Sequence, residues 1–332
     1  MSTYGRVPLP AAVAAMFLLG GFACSDHDAE KARASNAEGS GQQPPSALSE
    51  EEWSRMTIHL EPQLSPRTGP HGVPATEEDW LLVNGDLDKQ NRYLTVVQVE
   101  ANPPAAKTTK VCAGVLIAPE VVLTAANCIC SGRKQPALGG GEQTVIDTTS
   151  CATAASVTVI TYVPPSSGGR LAMMEQPYDG EARPHPSFKV VLDQKGEIVS
   201  SEADLAVIDV KGLILGDSRP VQLADAPLGA NESLVMVGYA CDEYYGAQWS
   251  RERHFRKYHV TSILDGGARA LFDQPKRDVY LGESGGPCLR ENGRRTALAG
   301  IMSRSLGTEA SFTSTFQYRD WIRQEIRRSA EP

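Results

Sequence analysis

Positive charge is in deficit in this chain of 332 residues: 32 Lys and Arg face 40 Asp and Glu, a net charge of −8. With a pI near 5.4, that balance argues against nucleic acid or an anionic membrane surface as the main partner and signals solubility. Long apolar runs are scarce as well. The strongest, Val7 to Ala23, is too short for a comfortable bilayer span, and an acidic flank follows it rather than a basic stop-transfer patch. No internal repeat of fixed period is present, which excludes an array of stacked units. Metal-ligand spacing is limited to Cys128-Ile129-Cys130, with no second ligand cluster beside it, so neither a metal nor another cofactor is expected. What is there is a 41 % apolar composition, enough for a sizeable core in one large domain or two ordinary ones.

The N-terminus reads as an export signal over 1–23: Arg6 and the free amino group, then the apolar run, then small residues around Gly21-Phe22-Ala23. Cys24 directly after Ala23 resembles a bacterial lipoprotein box, in which that cysteine is lipidated, although Gly21 stands where leucine or valine is usual. The expected location is therefore the cell envelope, as a lipoprotein whose membrane contact is the anchor at Cys24. Plain secretion after cleavage at Ala23 is the alternative. Setting Cys24 aside leaves six of the 7 cysteines, an even number that reads as three disulfides in an oxidising compartment.

Residues 25–48 are rich in Ser, Ala, Gly, Pro and charge with no apolar period, which predicts a disordered tether. Ser49 and Glu52 match a capping box that could start a short helix around Trp53 and Met56, and 61–78 reads as loop. The domain plan is thus 1–23 signal, 24–80 lipid-anchored tether and pre-segment, and 81–332 folded domain. Within that domain, strand-length apolar runs recur at 94–99, 111–117, 121–125, 156–162, 204–210, 233–238, 258–263 and 296–302, punctuated by Gly, Pro, Asp and Asn. The pattern is all-β, sandwich or barrel. Tyr318, Trp321, Ile322 and Ile326 then repeat at helical spacing and predict one terminal helix.

Three segments carry chemistry. Val122–Cys128 reads Val-Leu-Thr-Ala-Ala-Asn-Cys, Ala203–Val207 reads Ala-Asp-Leu-Ala-Val, and Gly282–Pro287 reads Gly-Glu-Ser-Gly-Gly-Pro. In order and spacing they resemble the chymotrypsin/trypsin family of serine peptidases, and the resemblance extends over about 82–330. It implies two packed six-stranded antiparallel β-barrels, a cleft between them and a C-terminal helix. It implies Ser284 as nucleophile, Asp204 as the orienting aspartate, the N–H groups of Gly282 and Ser284 as oxyanion hole, and Ser303 beside the aspartate and the substrate. It also implies disulfides. Cys112–Cys128 matches a family pair, and of the three pairings left, Cys130–Cys151 and Cys241–Cys288 keep each link within one implied barrel.

The position where that family carries its histidine holds Asn127. An amide can donate to Asp204, but it cannot take the proton of Ser284 near neutral pH, and without a base the hydroxyl is a poor nucleophile. No other histidine offers itself. His27, His59 and His71 precede the domain, His185 sits in a His-Pro that is not catalytic in the family, and His254 and His259 flank a basic stretch that reads as an exposed turn entering a strand. Other departures lie in the activation and pocket segments. Leu82-Val83-Asn84-Gly85 resembles the family's activated start but follows Leu81 rather than a basic residue, and Glu283 replaces an aspartate. Asp278 falls where trypsin-like members select Arg or Lys, and reads equally as a solvated loop residue. Tyr280, Arg304, Ser305 and Ala310 replace family pocket residues.

The expectation is a peptidase homologue without its base, binding a protein or peptide in the cleft. The alternative is an active serine endopeptidase, possibly cutting after Arg or Lys, with an unconventional base. A structural envelope protein without a cleft ligand accounts for fewer of the residues above.

Overall fold

The structure is a computed structural model that describes residues 57–60, 85–137, 139–163, 172–212, 219–242, 248–273, 284–292, 295–303 and 311–331. For 57–60, 240–242 and 248–251 it describes the backbone alone. The chain divides into two units, 1–46 and 47–332, and every described residue belongs to the second. The expected signal, the anchor at Cys24 and the helix around Trp53 lie outside the described residues.

Six strands close the first barrel: β1 (Val96–Ala101), β2 (Lys110–Ala118), β3 (Val121–Thr124), β4 (Ala154–Val163), β5 (Ala172–Pro184) and β6 (Ala206–Asp209). Six more close the second: β7 (Ser233–Asp242), β8 (Gln248–Leu264), β9 (Arg269–Phe272), β10 (Pro287–Asn292), β11 (Arg295–Met302) and β12 (Ser311–Ser314). Around the first ring the order is β1-β2-β3-β6-β5-β4, and around the second β7-β8-β9-β12-β11-β10, so both barrels share one connectivity. Every neighbouring pair in both rings is antiparallel. Closure leaves neither ring with an open edge. A helix, α2 (Arg319–Ser329), ends the described chain. The two six-stranded barrels and terminal helix match the expected fold.

Strand alternation places the core. Along β7, Val235 and Val237 join the apolar cluster that fills the first barrel and continues through Leu289, Leu298 and Ile301. Leu234 and Met236 point the other way, into the cluster with Tyr258, Phe272 and Phe312. All eight runs read from sequence fall in strands, but β5, β9, β10 and β12 went unread. β5 contains two prolines and a glycine, and its ten-residue ladder to β4 overrides that composition. A four-stranded sheet of Cys130–Pro136, Glu142–Cys151, Lys189–Leu192 and Ile198–Glu202 also stands outside the barrels. Thr57–Leu60, ahead of the expected domain start, adds antiparallel to β5.

Two expected disulfides are present, Cys112–Cys128 and Cys130–Cys151. The third expectation, Cys241–Cys288, is corrected. Cys288 stands opposite Met236 on β7, and Cys241 lies five residues beyond Met236 (241 − 236). At about 3.3 Å per residue that is roughly 16 Å along the strand, well past the Cα separation a disulfide spans.

The basic stretch around His254 is a second correction. It is the middle of β8, a strand of 17 residues, and Arg253 is completely buried. Its guanidinium donates from Nε to Asp88 Oδ2 at 2.8 Å, from Nη1 to the Ile160 carbonyl on β4 at 2.8 Å and from Nη2 to Asn91 at 3.2 Å. Asp88 also accepts the N–H groups of Arg92 and Tyr93. Arg253 therefore clamps the segment before β1 to both barrels.

Candidate active site

Asn127 lies in α1 (Ala126–Ile129), a short fully buried helical turn that follows β3. Its backbone N–H donates to Asp204 Oδ1 at 2.8 Å and its side-chain Nδ2 donates to Oδ2 at 2.8 Å. Asp204 is 0 % exposed. Burial pushes its carboxyl above the ordinary carboxylate range, against the donors on Asn127, the Ser303 hydroxyl and the charge of Lys110, which together only partly offset it. Ser303 Oγ also lies 3.2 Å from Thr313 Oγ1.

Ser284 sits in the turn that enters β10 and is 1 % exposed. The turn is fastened to both barrels: the Ser284 carbonyl accepts from Ala113 N–H on β2, and Gly285 N–H donates to the Met302 carbonyl on β11, each at 2.8 Å. Gly285 has φ of +82°, and a Cβ there would collide with the Ala113 carbonyl oxygen and the Thr124 hydroxyl. Thr124 in turn donates to that carbonyl at 2.7 Å. Ala113 follows Cys112, whose disulfide partner Cys128 follows Asn127. The covalent link and the Ala113 bond thus bring the serine turn and the Asn127–Asp204 pair to the same strands, β2 and β3.

Residues 83–322 match the family model for trypsin. The chain belongs to the trypsin family. Comparison with curated proteins finds no match. Of the trypsin-family residues expected at the site, Ser284, Asp204, Asn127 and Ser303 are described and gathered as above. Gly282, Asp278, Arg304 and Ser305 lie outside the described residues, as do Leu81, Glu283, Tyr280 and Ala310.

The described domain histidines are engaged elsewhere. His185 packs edge-on against Tyr318 and Trp321, with ring centres 5.2 and 4.7 Å away, and burial holds its imidazole below the ordinary value. His254 is buried on β8, with Nδ1 at 3.3 Å from the Gly85 carbonyl. His259 is exposed beside Asp273. Among the described residues no group of three or more His, Cys, Asp or Glu could hold a metal ion. No described helix is long and apolar enough to cross a membrane.

Sequence reading missed three residues that shape this trypsin-family site. Ala203, with φ of +48°, sits in the left-handed region directly before Asp204. Its N–H donates to the Tyr318 hydroxyl at 3.1 Å, so the chain just ahead of the terminal helix braces the aspartate. Lys110 Nζ donates to the Asn127 carbonyl at 2.6 Å and to the Cys130 carbonyl at 2.8 Å. Ala203 read only as the start of the aspartate segment and Tyr318 only as part of the helix face, and no motif marks Lys110. A bulky hydrophobe or a strand-edge lysine is ordinary until the fold brings it round.

Proposed function

We propose that this trypsin-family domain is catalytically impaired and acts by binding a protein or peptide in the cleft between its barrels, with Asn127 in the position of the base. The observation that carries this reading is the Asn127–Asp204 pair. The amide gives one Nδ2 proton to the aspartate, as an imidazole N–H would. The remaining amide oxygen is not basic enough to take a hydroxyl proton near neutral pH, because the nitrogen lone pair is delocalised into the carbonyl. Loss of one triad member costs about 10⁴–10⁶ in turnover, leaving roughly 10³–10⁴ over water. Two disulfides support an oxidising, extracytoplasmic setting. Anchoring through Cys24 belongs to the same proposal, whereas a preference for Arg or Lys set by Asp278 belongs to the alternative, an active endopeptidase.

The test is fluorophosphonate labelling and peptide turnover of the native domain, Ser284→Ala and Asn127→His. The native domain is expected to match Ser284→Ala, and Asn127→His to gain Ser284-dependent labelling. Labelling and turnover in the native domain that vanish in Ser284→Ala would establish an active endopeptidase instead.

A further inference from the structure

The geometry points to Lys110 as the counter-cation and positioning residue of the Asn127–Asp204 pair: its ammonium grips one end of Asn127 while Asp204 grips the other, and it supplies the positive charge that a neutral amide partner cannot.

The turn that carries Asn127 is only four residues long, with no side-chain cap and no basic residue in its last turn. Its carbonyls face the ordinary problem of a helix end, acceptors with no intrahelical donor. Lys110 arrives from β2 and donates to two of them, on Asn127 and Cys130. The Asn127 N–H points to Asp204 Oδ1. The ammonium therefore holds the carbonyl of Asn127 and the carboxylate its N–H, with the residue between opposite charges.

Among the described residues, Lys110 and Asp204 are the charged groups that act on one another here. The Asn127 amide, the Asn127 N–H and the Ser303 hydroxyl face Asp204, and the cation acting on it is Lys110. Burial pushes the Lys110 amine below its ordinary value, and the Asp204 charge is what draws it back up. Each group thus steadies the ionised form of the other. A lysine whose role was only to fill strand-end space would need no carboxylate across the turn. The inference does not depend on whether the site cleaves anything.

The test is NMR titration of the Asp204 carboxyl in the full, disulfide-intact domain, comparing the native chain with Lys110→Met and Lys110→Arg. Lys110→Met is expected to raise the Asp204 midpoint by about one pH unit or more, and Lys110→Arg to restore at least half of the difference. The reciprocal measurement reads the Lys110 amine in Asp204→Asn, where its midpoint is expected to fall. Should Lys110→Met not fold, the reciprocal titration alone decides. An Asp204 midpoint unmoved in folded Lys110→Met, or a Lys110 midpoint unmoved in Asp204→Asn, overturns the assignment.

Discussion

Asp88 and Asp204 are both almost wholly buried, yet the regions around them compensate the charge in different ways. Asp88, in the clamp between the barrels, touches the Arg253 guanidinium directly at 2.8 Å and takes two further backbone N–H groups. Asp204, in the candidate site, is bonded to an amide and a hydroxyl, and its cation, Lys110, acts on it across Asn127 without a direct bond. In the clamp a fully matched ion pair serves to hold three segments together. In the site the carboxyl is held above its ordinary range, a condition that pure stability would not select. The difference sets a directly paired carboxylate apart from a buried one whose burial is only partly offset.

The clamp is where the largest effect is expected. Arg253→Met leaves Asp88 buried without its cation and should cost about 3–5 kcal/mol by chemical denaturation. The backbone and side-chain bonds of Asn127 to Asp204 should survive it. Loss of both regions together would show that clamp and site are one unit.

Next comes the serine turn. Gly285→Ala forces a left-handed alanine against the Ala113 carbonyl and the Thr124 hydroxyl. The backbone cost of roughly 1–2 kcal/mol and an overpacking cost of roughly 1–3 kcal/mol suggest a loss of about 2–5 kcal/mol. A domain that tolerates it without loss would show that Ser284 is held less firmly than the two barrel contacts imply.

The pH dependence of stability separates Asp204 from an ordinary paired carboxylate. Burial would raise Glu232, but Arg290 and the Gly229 N–H hold it below its ordinary value of 4.5. Its contribution is present above about pH 4.5 and is lost as pH falls through the depressed native value. Asp204 has the opposite sign. Its native value is raised, so its contribution is present below its ordinary 3.8 and is lost as pH rises through that raised value. Melting temperatures across the acid range should therefore give opposite slopes. Relative to the native chain, Glu232→Gln becomes less stable as pH rises and Asp204→Asn becomes more stable. Parallel slopes would remove the distinction.

The smallest effect is expected at Ala203. Ala203→Gly relieves a left-handed alanine, worth about 1–2 kcal/mol, against a chain-entropy cost of about 0.5–1 kcal/mol. A net gain of up to about 1.5 kcal/mol by thermal unfolding is expected. A loss would mean that the Tyr318 contact leaves no strain to relieve.

Much of this was legible in the primary structure. Eight strands and the terminal helix face followed from alternation and period, and the pairing of two disulfides from the family resemblance. Asp204, Ser284 and Asn127 stood out because their chemistry is written in short contiguous motifs. The buried Arg253 misled, since a basic stretch reads as solvated unless its partner is known, and Asp88 lies 165 residues away in sequence. Tyr318 reaches Ala203 across 115 residues. The Cys241–Cys288 expectation failed because counting cysteines says nothing of strand register.

Residue type and local order were thus enough to read an all-β domain and, through the family resemblance of three short motifs, to expect two barrels and an amide where a base is usual. They could do so because strand alternation and motif chemistry act between near neighbours. Which charges meet is another matter. That Lys110 faces the Asn127 turn, that Arg253 finds Asp88, and that Gly285 is pressed between Ala113 and Thr124 follow from closing two rings of antiparallel strands. Barrel closure brings distant residues within a few ångströms, and desolvation there gives each contact its strength.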